Sequence, residues 1–336
     1  MKLKLLTLLL LSALMWCSIA FAQGSNPYFY YYSADEQSII VERADGSDRR
    51  GFRIGMYEPW FGPGFSPDGI WFASYDFENQ FGSGSVVSVD GTTVLGPLEN
   101  LKNMNGMYWS PDSRHILVIG SFDECRALTC LYQTYWLIDV HMNRILATAD
   151  TFYTPGSAMD RFMEWSNDGE TVSFYTQEGN LGYLARTSTY LVTMGTDGTV
   201  TKRNVSWDEY VTANPPIIQD SLLLSDIELV SPDGRYTVTA GRLTDLSTGQ
   251  VISVPEPYFP NPALVIDLAD AKWNDTSDWV LLGFRLSTGD AAATSIMRSD
   301  GTAFRQLNVC GFGPSCVGWL PDNVDVENIP LLADAP

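Results

Sequence analysis

Along the chain, short runs of apolar and β-branched residues are cut at regular intervals by Ser, Pro, Asn, Asp and Gly. Five of these runs, IWFASYD (70–76), RHILVIGS (114–121), TVSFYTQ (171–177), RYTVTAG (235–241) and DWVLLGF (278–284), have strand length and β-forming composition. Each follows a variant of one tight-turn motif. The copies are Phe65-Ser66-Pro67-Asp68-Gly69, Trp109-Ser110-Pro111-Asp112-Ser113, Trp165-Ser166-Asn167-Asp168-Gly169, Val230-Ser231-Pro232-Asp233-Gly234 and Trp273-Asn274-Asp275-Thr276, with a sixth at Trp319-Leu320-Pro321-Asp322-Asn323. Pro presets φ, Asp bonds its own backbone and Gly accepts positive φ, so each copy predicts a chain reversal. The bulky residue that opens it is predicted to face a core.

A second series interleaves with the first: Asp45-Gly46, Asp90-Gly91, Asp197-Gly198 and Asp300-Gly301, with His141-Met142-Asn143 and Ser247-Thr248-Gly249 in the two remaining slots. Asp-Gly between extended runs predicts a hairpin. Six hairpins of each kind give about 24 strands at four per repeat, with little helical periodicity, which is the pattern of a β-propeller. The expected fold is therefore all-β, a six-bladed propeller of four-stranded antiparallel blades. The motif order also predicts how the ring closes. Residues 38–54 offer an outer pair of strands without an inner partner and residues 316–328 an inner pair without an outer one, so the two ends are expected to share a composite blade that leaves no free edge.

The repeat resembles that of the TolB-like propeller family, whose pattern runs W-S-P-D-G, strand, strand, D-G-[ST], strand. The likeness extends from about Ser38 to Val326. The repeats begin within about fifteen residues of the expected mature N-terminus, without the α/β domain that TolB proper carries ahead of its propeller, so the cell-envelope role of TolB is not carried over.

Composition narrows the partners. The 336 residues carry 20 Lys and Arg against 40 Asp and Glu, a formal charge of −20. That balance excludes nucleic acid as the expected partner and disfavours an anionic membrane surface. Residues 1–22, with Lys2 and Lys4, a Leu-rich stretch and Ala20-Phe21-Ala22, are laid out as a cleavable signal, implying a periplasmic or extracellular protein. An uncleaved anchor and a lipoprotein signal at Cys17 are the alternatives. The expected organisation is signal 1–22, lead-in 23–37, propeller 38–328 and tail 329–336. In an oxidising compartment the four remaining cysteines are expected to form local disulfides, Cys125 with Cys130 and Cys310 with Cys316, in preference to a four-cysteine metal site.

Both kinds of short turn are expected at one face of the propeller, so the longer connections emerge at the other, which is the expected functional face. The longest, residues 202–229, holds Trp207, Asp208, Glu209 and Tyr210; a neighbouring one holds Phe152, Tyr153, Asp160 and Arg161. Carboxylates beside aromatics suit a sugar ring, a basic peptide or calcium, the one cofactor left open. No G-x-S-x-G elbow or sialidase box occurs, and two histidines, His115 and His141, do not make a multi-histidine metal centre. Asn204-Val205-Ser206 and Asn274-Asp275-Thr276 fit the glycosylation triplet. The expectation is a monomeric, exported, non-enzymatic scaffold that binds a protein or peptide, with a carbohydrate-active or glycan-binding protein as the alternative.

Overall fold

The computed structural model describes residues 26–54, 59–76, 84–95, 104–121, 132–152, 163–178, 188–213, 229–239, 242–255, 266–286, 291–307 and 317–332. The chain starts with β1 (Tyr28–Ser33), β2 (Ser38–Arg43) and β3 (Arg50–Arg53). Five four-stranded meanders follow. Sheet 2 is β4 (Pro59–Phe65), β5 (Trp71–Asp76), β6 (Gly84–Ser88) and β7 (Val94–Leu95). Sheet 3 is β8 (Met104–Trp109), β9 (His115–Ser121), β10 (Tyr132–Asp139) and β11 (Arg144–Phe152). Sheet 4 is β12 (Glu164–Trp165), β13 (Thr171–Glu178), β14 (Ser188–Gly195) and β15 (Val200–Val205). Sheet 5 is β16 (Leu229–Val230), β17 (Tyr236–Thr239), β18 (Arg242–Asp245) and β19 (Gln250–Ile252), and sheet 6 is β20 (Ile266–Trp273), β21 (Trp279–Leu286), β22 (Ala291–Arg298) and β23 (Phe304–Leu307). The last strand, β24 (Val317–Trp319), pairs with β1, giving sheet 1 the order β24-β1-β2-β3.

Every pairing is antiparallel, and among the described residues shared cores join sheets 1 and 2, 2 and 3, 3 and 4, 5 and 6, and 6 and 1, the architecture of a β-propeller. Tyr32, Ile39 and Phe52 of sheet 1 meet Phe65, Phe72 and Val87 of sheet 2. Trp71 and Val86 meet Ile116 and Val118 of sheet 3, and Tyr135 stacks on Phe174 of sheet 4 with ring centroids 4.0 Å apart. Sheets 5 and 6 join through Tyr236 and Trp273, and sheets 6 and 1 through Leu281, Phe29 and Ile40. Residues 214–228, which connect sheets 4 and 5, lie outside the described residues.

The composite sheet differs from the expected two-plus-two division. Three of its strands come from the N-terminal segment and one from the C-terminal segment. Tyr28–Ser33, placed in the lead-in by sequence, is a full strand, and its carbonyl at Tyr28 accepts from Leu320 N–H at 3.0 Å. In sheet 2 the same position of the motif pairs Ser66 N–H with Trp71 O at 2.8 Å, so β1 supplies the second strand that follows the motif elsewhere. The physical reason is visible after Asp322. The segment Asn-Val-Asp-Val-Glu-Asn-Ile-Pro lacks a β-forming run; it makes a 3-10 turn (Val326–Asn328) and crosses to the outer strand of the same sheet. There Arg50 donates to the carbonyls of Val326 and Ile329 at 3.1 and 3.2 Å, and Gly51 N–H to Pro330 O at 3.0 Å.

The junction of sheets 1 and 6 also buries a charge. Glu42 is 2% exposed and accepts from Arg305 Nη1 of β23 at 2.6 Å, with Arg49 Nε 3.7 Å away. Removing a buried ion's partner leaves an uncompensated charge, although both arginines are more than a third exposed, which softens the penalty. Glu42→Gln is expected to lower unfolding free energy by about 2 kcal/mol in urea melts; a change within error would show that the pair does not hold this junction.

Candidate functional site

The short turns assemble one face. In the motif turns of sheets 2, 3, 4 and 5, the Ser hydroxyl accepts the N–H five residues on and donates to the Asp two residues on; for Ser66 these are Trp71 N at 3.0 Å and Asp68 Oδ1 at 2.6 Å. The same Asp oxygen accepts a backbone N–H two residues later, as Ile70 N does at 3.0 Å. The fifth residue has positive φ, between 60° and 74° for Gly69, Ser113, Gly169, Gly234 and Ser277. The fifth copy therefore runs one residue further than its aspartate suggests. Asn274 takes the Ser position, Thr276 the Asp position and Ser277 the Gly position, and Asp275 stands in place of Pro.

Adjacent turns touch. Asp68 N–H donates to Ser113 Oγ at 2.8 Å and Asp233 N–H to Ser277 Oγ at 3.1 Å. A Cβ on Gly169 would stand 2.7 Å from the Asp112 carboxyl carbon, and one on Gly69 would stand 2.3 Å from Asn323 O. Serine thus replaces glycine in two copies, where its hydroxyl accepts a bond from the preceding turn. The opening Trp performs a matching task one strand inward: Trp109 Nε1 donates to Gly64 O at 3.1 Å and Trp319 Nε1 to Lys272 O at 2.9 Å.

Beside the motif turns of sheets 1 to 4 lies a recess of about 370 Å³, lined by Phe65, Ser66, Pro67, Tyr108, Trp109, Met163, Trp165, Pro321 and Asn323. Sheets 1 to 4 all contribute to it. Four of its nine lining residues are aromatic, and no carboxylate stands among them. The indole nitrogen of Trp165 is buried without a hydrogen-bond partner, in contrast to those of Trp109 and Trp319. Sequence reasoning assigned the motif residues among these to the scaffold and looked to the face of the longer connections, where it placed Met163. The signal that could have found the recess was the repeated bulky residue ahead of each Ser, which lies at the inner end of its strand.

The residues chosen from sequence fall elsewhere. Phe152 ends β11 and Trp207 to Tyr210 open a short helix, α1 (Trp207–Ala213), both beside the outermost strands of sheets 3 and 4. The expected long loop 202–229 is thus strand to Val205 and then helix. Ser206 caps it, its Oγ accepting Glu209 N–H at 3.1 Å, and Ser206-x-x-Glu209 is a helix-start signature the sequence reading passed over. Glu209 is tied to Arg203 by two bonds, 3.1 and 2.7 Å, and Tyr210 packs edge-on against Tyr175. Asp208 is exposed. Tyr153, Asp160, Arg161, the four cysteines of the expected disulfides and the signal segment lie outside the described residues.

Among the described residues no group of three His, Cys, Asp or Glu side chains is arranged to hold a metal ion, and no helix is long and apolar enough to cross a membrane. His115 is buried, 3.1 Å from Asp112 Oδ2 and 4.0 Å from Asp139 Oδ2, while His141 is an exposed turn residue against Trp71. Of the two glycosylation triplets, Asn274 is 5% exposed with both amide atoms bonded in its turn, whereas Asn204 is exposed on β15.

No family model matches the chain, and no curated protein matches it. The solved structures similar to the chain include two described as TolB and one described as a β-propeller domain. TolB from Acinetobacter baumannii is 17% identical over 88% of this chain and 66% of its own, with a TM-score of 0.37. The β-propeller domain of the trilobed protease from Pyrococcus furiosus is 15% identical over 84% and 83%, TM-score 0.32, and oligogalacturonate lyase from Vibrio parahaemolyticus is 10% identical over 84% and 85%, TM-score 0.35. The chain spans about two thirds of that TolB and 43% of the Pyrococcus horikoshii acylaminoacyl peptidase it also resembles. Such similarity carries no activity across.

The outer turns follow a wider rule than Asp-Gly. Asp45, Asp90, Asp197, Asp245 and Asp300 each accept the N–H and the hydroxyl of a Ser or Thr two residues on. Asp245 also bonds Arg235, and these contacts, Arg235 first and Ser247 next, hold its carboxyl far below the usual carboxylate range. A depressed folded pKa gives stability that is complete above the unfolded value of about 3.9 and is lost as pH falls toward the folded one. Between pH 7 and pH 3, Asp245→Asn is expected to lose less stability than the parent chain in urea melts; equal losses would contradict this coupling.

Proposed function

We propose that the chain is an exported, non-enzymatic, six-bladed TolB-like propeller that holds a protein or peptide partner, with the recess beside the motif turns as its anchoring site. The observation that carries the reading is the recess itself. Its walls belong to inner strands of several sheets and to turns bonded to one another, so they are preorganised, and aromatic residues in such concave, pre-formed sites are the usual anchors of interfaces. A space of this size takes one or two side chains of a partner, not a domain. The partner's remaining contacts fall on the surrounding turns. This reading moves the site from the face of the long connections to the face of the short ones.

The glycosidase alternative has less support. Paired-carboxylate hydrolysis needs two acids flanking the bond, and the recess wall carries aromatic rings without a carboxylate. Of the acids chosen from sequence, Glu209 is paired with Arg203. Export rests on the layout of residues 1–22. Closure of six blades rests on the six four-stranded sheets, one of them shared by both ends of the chain.

A photo-crosslinking residue placed at Met163, in the recess wall, and separately at Thr201, exposed on β15, tests the site. Irradiation in the native exported fraction is expected to give one discrete protein adduct from position 163 and none from position 201. Equal labelling from both positions, or turnover of a polysaccharide by the purified chain, would overturn the reading.

A further inference from the structure

The recess is apolar, yet it opens in an acidic surround. Pro67 and Pro321 of its wall directly precede Asp68 and Asp322, and Trp109 and Trp165 stand three residues before Asp112 and Asp168. All four aspartates are exposed, as are Asp233 and Asp275 in the remaining motif turns. The carboxylates of Asp68 and Asp168 accept from neutral donors, a serine hydroxyl and a backbone N–H each, which orient the anion and leave its charge in place. Two arginines of these hairpins are engaged at the outer turns, Arg114 with Asp139 and Arg235 with Asp245, both at 2.9 Å. Walls of low dielectric focus the field of such a rim into the opening.

One kind of ligand satisfies both the walls and the rim. Lys and Arg carry an apolar stem that packs on rings and a cationic head that aromatic faces and carboxylates both attract. A neutral apolar side chain would fill the recess but gain nothing from the rim, and an acidic one would be repelled. Resting on the peptide-binding reading above, the geometry points to a basic segment of a partner protein as the occupant, one Arg or Lys side chain entering between Tyr108, Trp109 and Trp165 while neighbouring basic residues lie against the aspartates.

Two probes separate charge from shape: an acetylated octapeptide of alternating Gly and Arg, and its counterpart with citrulline, which keeps the side-chain length and loses the charge. Calorimetric titration is expected to show the Arg peptide binding about tenfold or more tighter than the citrulline peptide, with affinity falling as salt rises and the Debye length shortens. Asp68→Asn with Asp322→Asn is expected to weaken the Arg peptide about tenfold, since Asn keeps the side-chain oxygen that the Asp68 turn needs. Asp168→Asn alone serves as a second variant should the double one melt abnormally. Equal affinity for both peptides, or unchanged affinity in natively melting Asn variants, would overturn the proposal. A discrete adduct from position 163 combined with indifference to charge would leave the partner-binding reading standing and remove the cationic one.

Discussion

The rest of the molecule depends on a serine hydroxyl that works in both directions. In each regular motif turn, Ser Oγ accepts the N–H that opens the second strand and donates to the carboxylate that fixes the turn. That pair of bonds sets the hairpin's register and forces the fifth residue into positive φ. The fifth residue is in turn the part that meets the preceding sheet in four of these hairpins, through Gly69, Ser113, Gly169 and Ser277, whereas Gly234 has open space around it. A local turn geometry thereby fixes how neighbouring sheets meet. Asn274 shows that the requirement is for function and not for serine: its amide oxygen accepts Trp279 N–H at 2.9 Å and its nitrogen donates to Thr276 at 2.7 Å.

A chain of sheets built this way has two ends, and an open end would expose apolar faces and unpaired strand edges. The chain handles this by dividing sheet 1 unevenly. A single C-terminal strand enters at the inner edge, where Trp319 repeats the indole bond that Trp109 makes between sheets 2 and 3. The three N-terminal strands then complete the sheet, and the strap past Val326 returns to Arg50 on its outer side. Contacts between the two termini therefore run from the inner to the outer edge of one sheet, and Glu42 adds a bond to the neighbouring one. Non-local pairing of this kind closes a very long loop, with an entropic cost that grows only slowly with length.

The repeat was legible because turn chemistry is local. Ser, Pro, Asp and Gly impose their geometry within five residues, so the two interleaved hairpin series could be taken from spacing. Three things were not legible, for different reasons. The share of each terminus in sheet 1 depends on β1, whose tyrosine-rich run YFYYYS has no motif turn before it to mark it as the second strand of a repeat. Helix α1 was signalled by Ser206 and Glu209, but the signal is four residues long and competed with an expectation of loop. The recess was hidden most thoroughly. Its residues come from four sheets, and each taken singly is an ordinary core or turn residue.

The charge of the chain shows why scaffold and site need not be separate assignments. An aspartate in a motif turn is explained by geometry, and by that account it is structural. Yet the bond to serine uses one carboxylate oxygen, the residue stays exposed, and the arrangement recurs in the motif turns of sheets 2, 3, 4 and 5. Exposed aspartates of the motif turns, Asp68, Asp112, Asp168, Asp233, Asp275 and Asp322, place like charges on one face, which by itself disfavours the compact state through mutual repulsion. The hydrogen bonds within each turn offset that cost, because donation to the carboxylate favours its charged form, as it does for Asp168. What the turns need locally, an ionised acceptor, is therefore also what gives the face its field. A fold that uses aspartate in most of these turns acquires a negative rim without any residue being added for recognition, and the aromatic residues that open three of the motifs, Phe65, Trp109 and Trp165, put an apolar wall beside it.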